Sequence, residues 1–382
     1  MAAHITNPFA PGFGSPPPRL ADREVALEEL AASTRGETSA GVGVVLVSGL
    51  HGAGKTSLLR AAANRSGTEG ALAIRASARI DDSLLSCLAG PVRSRLVRFG
   101  QLTHAKAEVA RALSVLADIC TAHNRRARGV LPSPGIRAAQ RDTAKLLIAV
   151  AAVAQAANSP SVLYLDDAQH LSEAELTVLL EVVANSRAAG FNLTVVAAGS
   201  PQAERLFTSV PSDIGPPHMV RLGALSMEGA VEALRGPASA SGARFTDQAL
   251  AEMVTASGCH PFFLQQWASC VWELASGPGI DRTVVARAGR DVEAELDERF
   301  FGPLVADLTP AEWRYLRAMA ELGEEDCTSA KTARRMGEPM SRLAPVRASL
   351  IAKDVIYSPS RGAALFSAPA LGNFVLRSNP PI

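Results

Sequence analysis

The sequence predicts an α/β fold in which a parallel sheet is sandwiched by helices, followed by a helical lid and a C-terminal winged-helix domain. Three observations carry this. Short β-branched runs alternate with helix-forming stretches up to about residue 225, the run at Val44 passes through a glycine-rich loop straight into a helix, and the tail orders three helices before two short extended runs. A chain of 382 residues has room for two or three domains rather than one core.

The glycine-rich loop comes first. Val44-Val-Leu-Val-Ser48 reads as a buried strand, and Ser57-Leu-Leu-Arg-Ala-Ala-Ala is built of good helix formers. Between them, "GLHGAGKT" matches G-x-x-x-x-G-K-S/T. In the order strand, loop, helix, backbone N–H groups at the helix start face phosphates, Lys55 reaches their β and γ oxygens, and the Thr56 hydroxyl ligates Mg²⁺. Gly49, Leu50, His51, Gly52, Ala53, Gly54, Lys55, Thr56 and Ser57 are therefore the candidate nucleotide-binding residues. A glycine turn that happens to carry a lysine is the plain alternative.

A second strand, Ser161-Val-Leu-Tyr-Leu, runs into Asp166 and Asp167. A buried parallel strand that ends in acids places them at the carboxyl edge of the sheet, where ligands bind. Asp166 would hold Mg²⁺ through water, and Asp167 would polarise an attacking water. A helix N-cap acid ahead of Glu173 and Glu175 is the alternative. The third strand starts at Leu193 and ends at Ser200, which is either a γ-phosphate sensor or a turn serine. Ala71–Ala76 and His218–Leu222 complete the sheet.

With these motifs placed, the chain resembles AAA+ ATPases of the origin-recognition (Orc/Cdc-like), STAND-related branch over nearly its whole length. The resemblance rests on "NPFAPGFGSPPPRLADRE", "GLHGAGKT", "VLYLDDAQHLSEAEL", "AAGSPQAERLF", "ASGCHPFFLQQWASCVWE" and the two tail segments "DLTPAEWRYLRAMAELG" and "LAPVRASLIAKDVIYSPSRGAALFSAP". It implies ATP and Mg²⁺ as cofactors, Arg23 on the adenine side, and Pro261 of "GCHP" as the lid proline near the nucleotide; Pro261 also fits a plain helix-start proline. Three departures stand out. Asp167 replaces the family's usual glutamate, an arginine is absent near Asp213, and the loop after Ser200 is short. All three favour a nucleotide-gated switch over a fast motor. The expected division is an N-terminal Pro/Gly-rich segment with an adenine-side helix (1–40), a nucleotide-binding domain (41–225) with a basic helical insert (80–158), a lid (226–305) and a winged helix (306–382).

Net charge is +1 with 20% charged and 47% hydrophobic residues, so any basic surface is local. Between Arg93 and Lys145 stand eleven basic residues against three acids, including Arg125, Arg126 and Arg128. This segment either contacts nucleic-acid phosphates or pairs with acidic helices. Between Leu308 and Ile382, ten basic residues face seven acids, and a winged helix would present Arg342, Arg347, Lys353 and Arg361 to DNA. Winged helices also dock proteins, so duplex DNA, a protein partner and self-association all remain open. Five widely spaced cysteines hold no CxxC pair, and neither a signal peptide nor a membrane-length apolar run is evident, so a cytoplasmic location is expected.

The function expected is an ATPase switch associated with DNA. The competing class is a nucleotide-stabilised interaction protein with little hydrolysis. Phosphoryl transfer to a small molecule is disfavoured, since no further substrate constellation accompanies the loop.

Overall fold

The computed structural model describes residues 6–35, 43–80, 82–127, 136–323 and 327–378. They pack as two compact units, one of Glu24–Ser48 and Leu58–Arg221, the other of Met1–Arg23, Gly49–Ser57 and Leu222–Ile382.

The α/β elements run α1 (Glu24–Arg35), β1 (Val44–Gly49), α2 (Lys55–Thr68), β2 (Leu72–Ser77), α3 (Leu84–Leu102), α4 (Lys106–Ala127), α5 (Ile136–Ala156), β3 (Ser161–Asp166), α6 (Glu173–Ala188), β4 (Leu193–Gly199), α7 (Pro201–Ser209) and β5 (His218–Leu222). The five strands form one sheet in the order β2-β3-β4-β1-β5. Parallel registers align Ile74 with Leu163, Leu163 with Val195, and Val44 with Val195. The inner strands are covered on both faces, which is why β3 and β4 read as unbroken apolar runs rather than alternating ones. Each fully buried valine or leucine there contributes about 1.5–3 kcal/mol. Because β1 lies inside the sheet while the chain leaves it for the far edge at β2, the loop after β1 opens at a topological switch point.

The expected insert is a three-helix element, α3 to α5. Leu88, Val92 and Leu96 of α3, Ala112 and Leu116 of α4, and Leu146, Val150 and Val153 of α5 join the sheet's own core. The polar faces are left to Arg93, Arg98, Lys106, Arg111, Arg137, Arg141 and Lys145, all exposed. Arg125 and Arg126 fall within α4, and Arg128 lies outside the described residues.

The second unit adds α8 (Met227–Ala240), β6 (Arg244–Phe245), α9 (Asp247–Ser257), α10 (Pro261–Leu274), β7 (Gly279–Ile280), α11 (Arg282–Leu296), α12 (Gly302–Val305), α13 (Pro310–Leu322), α14 (Ser329–Met336), α15 (Met340–Ala352), β8 (Ile356–Tyr357), β9 (Leu365–Phe366) and α16 (Leu371–Arg377). Strands β8 and β9 form an antiparallel hairpin. One core cluster runs through α8–α16 and takes in Phe9 of the N-terminal segment. Phe9 sits edge-on to Trp272, and Phe13 stacks on Phe300 at 5.6 Å.

Two elements differ from expectation. Within the segment expected as a helical lid (226–305), α11 passes into a π-turn over Asp297–Phe301; the wider turn lets the adjacent Phe300 and Phe301 both be buried. Helix α16, not anticipated, buries Leu371, Phe374 and Val375 at helical spacing. No described helix is long and apolar enough to cross a membrane, and none of the five cysteines forms a disulfide.

Candidate functional site

The loop after β1 is shaped by its glycines. Gly52 has φ +75°, and a Cβ there would stand 2.5 Å from His260 Cε1 and 3.0 Å from Phe262 Cβ; Gly54 has φ +93°. Only glycine takes this path without strain. Helix α2 then begins at Lys55 with no acid in its first turn. The positive end of its dipole and the N–H groups of its first turn are the kind of feature that suits an anion.

Within this unit the loop is tightly held. Lys55 Nζ donates to Gly49 O at 2.8 Å and Leu50 O at 2.9 Å. Arg23, 7% exposed, donates from its guanidinium to Asp22 O (2.9 Å), Gly223 O (2.7 Å) and Ala53 O (3.4 Å). The residue expected on the adenine side therefore braces the loop's backbone. Pro261 takes the first position of α10, where its missing N–H costs nothing. His260 before it is 5% exposed, and its Nε2 donates to His51 O at 2.9 Å. Burial, with nearby Lys55, His51 and Arg23, pushes its pKa down to about 4, so the ring is neutral at physiological pH. Beside the loop lies a cavity of about 690 Å³, walled among others by Leu50, Ala53, Gly223, His260, Phe263 and Trp267.

The two carboxylates belong to the other unit. Asp166 ends β3, is 9% exposed, and its Oδ1 accepts from Asp167 N at 3.1 Å. Asp167 is left-handed (φ 55°, ψ 38°), a conformation that Asp tolerates better than most residues. Its Oδ2 accepts from Ser77 Oγ at 2.9 Å, at the end of the neighbouring strand. Helix α6 is capped by Ser172 and Glu175 in a reciprocal capping box. Ser200, 1% exposed, is the N-cap of α7: its Oγ accepts from Gln202 N, and its own N–H donates to Gln169 Oε1 at 3.1 Å.

Sequence reasoning missed Ser77, Gln169 and Glu204. Glu204, in the first turn of α7, is bound by Arg221 at 2.9 and 3.2 Å and by the Ser48 hydroxyl. Burial works against its ionised form, but these bonds prevail and hold its pKa below the usual range. No short-range signal marks such pairs; Ser77 and Asp167 stand 90 residues apart.

The basic candidates divide. Lys353 Nζ donates to Asp307 O at 2.7 Å and to Glu312 Oε2 at 2.8 Å, and Arg347 donates to Ala363 O at 3.0 Å, so both are engaged inside the fold. Arg342, near the start of α15, pairs with Glu338 just before that helix at 3.1 Å. Arg361 is exposed in the turn between β8 and β9. Among the described residues no group of three or more His, Cys, Asp or Glu could hold a metal on its own.

A strand, glycine-rich loop and helix on a sheet ordered β2-β3-β4-β1-β5 decide the fold. It is that of an AAA-type P-loop ATPase. Residues 19–196 match the family model described as AAA ATPase domain, and residues 298–375 match one described as a domain of unknown function (DUF8462). The Walker-type ATPase PABY2304 of Pyrococcus abyssi is similar over 98% of this chain and 99% of its own, at 15% identity and a TM-score of 0.65. Cdc6p of Pyrobaculum aerophilum (15% identity, 95% and 97% covered, TM-score 0.49) and the Orc1 protein of Aeropyrum pernix, solved in complex with DNA (13%, 98% and 94%, 0.46), are similar at lower scores. No curated protein matches the chain.

Proposed function

We propose that this AAA-type P-loop ATPase is a nucleotide-dependent conformational switch that associates with DNA. ATP binds with its phosphates on the loop Gly49–Thr56, and the apolar walls beside the loop suit its base. The donors that the sequence suggests for magnesium, the Thr56 hydroxyl and the Asp166 carboxylate through water, are all hard oxygen and would suit a cation that keeps several of its waters. When bound, the ion neutralises charge developing on the phosphates. Asp167 accepts the proton of a water that attacks the γ-phosphorus, the bond to the β-phosphate oxygen breaks, and ADP and phosphate leave.

The observation that carries the switch is the packing of the loop in one compact unit with α8–α16, through Arg23, His51 and His260. Helices α8–α11 then act as a lid, and α13–α15 with the β8–β9 hairpin act as a winged helix. DNA would meet Arg342 and Arg361 there, and the exposed basic side chains of α3–α5. A second reading keeps the nucleotide as a structural ligand with little turnover. It is favoured by the short Asp167 side chain and its bond to Ser77.

Steady-state hydrolysis of the full chain and of Lys55→Ala, with and without duplex DNA, tests both. Turnover that needs Lys55 and rises with DNA supports the switch. Tight binding without turnover, indifferent to DNA, supports the structural-ligand reading.

A further inference from the structure

The peptide joining Leu50 and His51 is held at both ends. Its carbonyl accepts from Lys55 at 2.9 Å, and its amide donates to Ser367 O at 3.0 Å. The His51 ring lies 3.2 Å from both Asp354 Oδ2 and Asp354 O. Asp354 and Ser367 are one buried knot, 4% and 0% exposed. Ser367 N donates to Val355 O at 3.0 Å, and Ser367 Oγ donates to Asp354 O. The knot stands where α15 has just ended and β9 has just ended.

A lysine ammonium on a neutral carbonyl is a charge–dipole contact, and a phosphate offers it a full opposite charge. An arriving phosphate therefore draws Lys55 off Leu50 O. That removes the polarisation which strengthens the same peptide as a donor at its other end, and frees the peptide to turn. The bond to Ser367 and the seat of the His51 ring on Asp354 weaken together.

We propose that His51 is a coupling residue through which the C-terminal helix–hairpin module senses whether the P-loop holds phosphate. While Lys55 rests on Leu50 O, His51 clamps the end of α15 and the end of β9; when Lys55 turns to a phosphate, the clamp loosens. This rests on the reading of the loop as a nucleotide-phosphate site. Linkage makes the coupling reciprocal, so loosening the clamp strengthens nucleotide binding.

The test is affinity for N-methylanthraniloyl-ATP with magnesium, measured on the full chain, Asp354→Gly, His51→Ala and the double variant, with circular dichroism as a check on folding. Asp354 has φ 55°, so glycine keeps the turn; Asp354→Asn, with the same expected sign, serves if the glycine variant folds poorly. Asp354→Gly is expected to bind about fivefold tighter, and the double variant no tighter than the better single one, since both remove the contact between the His51 ring and the Asp354 carboxylate. Hydrogen exchange at residues 355–368 is expected to quicken when nucleotide binds the unaltered chain, and to be fast already in Asp354→Gly. An unaltered chain that binds in a Lys55-dependent way, beside variants with the same affinity and exchange, overturns the coupling alone. An unaltered chain that binds no nucleotide overturns the phosphate reading and the coupling with it.

Discussion

Ser77 Oγ donates to Asp167 Oδ2 across 2.9 Å, tying the last residue of β2 to the acid that follows β3. The bond takes up one of the acceptor positions with which Asp167 could orient a water. If Asp167 is the base, Ser77→Ala should raise kcat by roughly tenfold to 100-fold and leave KM unchanged, the size expected from losing one hydrogen bond to a charged group. Asp167→Asn should cut kcat by roughly 100-fold or more while nucleotide affinity holds. A Ser77→Ala enzyme with unaltered kcat would show the bond to be structural only.

Gly52 is the narrowest point of the P-loop. An added methyl would meet His260 Cε1 at 2.5 Å and Phe300 Cε2 at 3.0 Å, on a backbone with φ +75°. None of these neighbours is the tip of a flexible chain. Gly52→Ala should therefore destabilise the fold by about 2–4 kcal/mol, combining overpacking with left-handed strain. Urea denaturation reads this directly, and a loss under about 1 kcal/mol would mean that the loop relaxes away from α10.

His260 gives the stability a pH dependence. Its pKa falls to about 4 in the fold from 6.5, so between those values the unfolded chain binds the proton and the folded chain does not. Stability from this group is complete above pH 6.5 and declines by about 3 kcal/mol as pH drops to 4. His260→Gln should flatten that part of the profile in urea titrations at several pH values. A variant whose slope matches the unaltered chain would assign the acid sensitivity elsewhere.

Much of the fold was legible because its signals are local. Val44–Ser48, Ser161–Asp166 and Leu193–Gly199 are buried on both faces and so spell continuous apolar runs, and the glycines of the loop need positive φ whatever surrounds them. Helix α16 and the π-turn at Phe300 escaped because the first is under two turns long and the second is decided by what two adjacent phenylalanines pack against. The partners of the loop escaped for a different reason. His51 and Asp354 stand 303 residues apart, His51 at an unspecified position of the loop motif and Asp354 in no motif; only the packing of α8–α16 with the loop brings them together. Lys353 and Arg347 looked like surface cations by helix position, yet Glu312 and Ala363 O engage them inside the fold.

Glu312 is the second titrating anchor. It is 2% exposed, caps α13 with Thr309, and accepts from Ser349 at 2.7 Å and Lys353 at 2.8 Å. Burial opposes its ionisation, but the bonds from Lys353, Ser349 and Thr309 prevail and lower its pKa to about 2 from 4.5. Its contribution, about 3 kcal/mol, is present above pH 4.5 and lost as pH falls toward 2. Glu312→Gln should cost most of this at pH 7 and progressively less below pH 4.5. Equal destabilisation at pH 7 and pH 3.5 would point to lost packing instead of lost charge.

The same contact separates two basic residues that sequence alone treats alike. Lys353 is spent on Glu312 and Asp307 O, whereas Arg361 stands exposed in the turn between β8 and β9. Each cation that meets a DNA phosphate contributes roughly 0.9 to the slope of log affinity against log salt. If the C-terminal module binds duplex DNA, Arg361→Ala should lower that slope by about 1, and Lys353→Gln should leave it unchanged while lowering thermal stability. Fluorescence anisotropy with a labelled duplex over a series of salt concentrations measures both slopes. A loss of slope in Lys353→Gln but not in Arg361→Ala would place the DNA on a different face of the module, away from the hairpin turn.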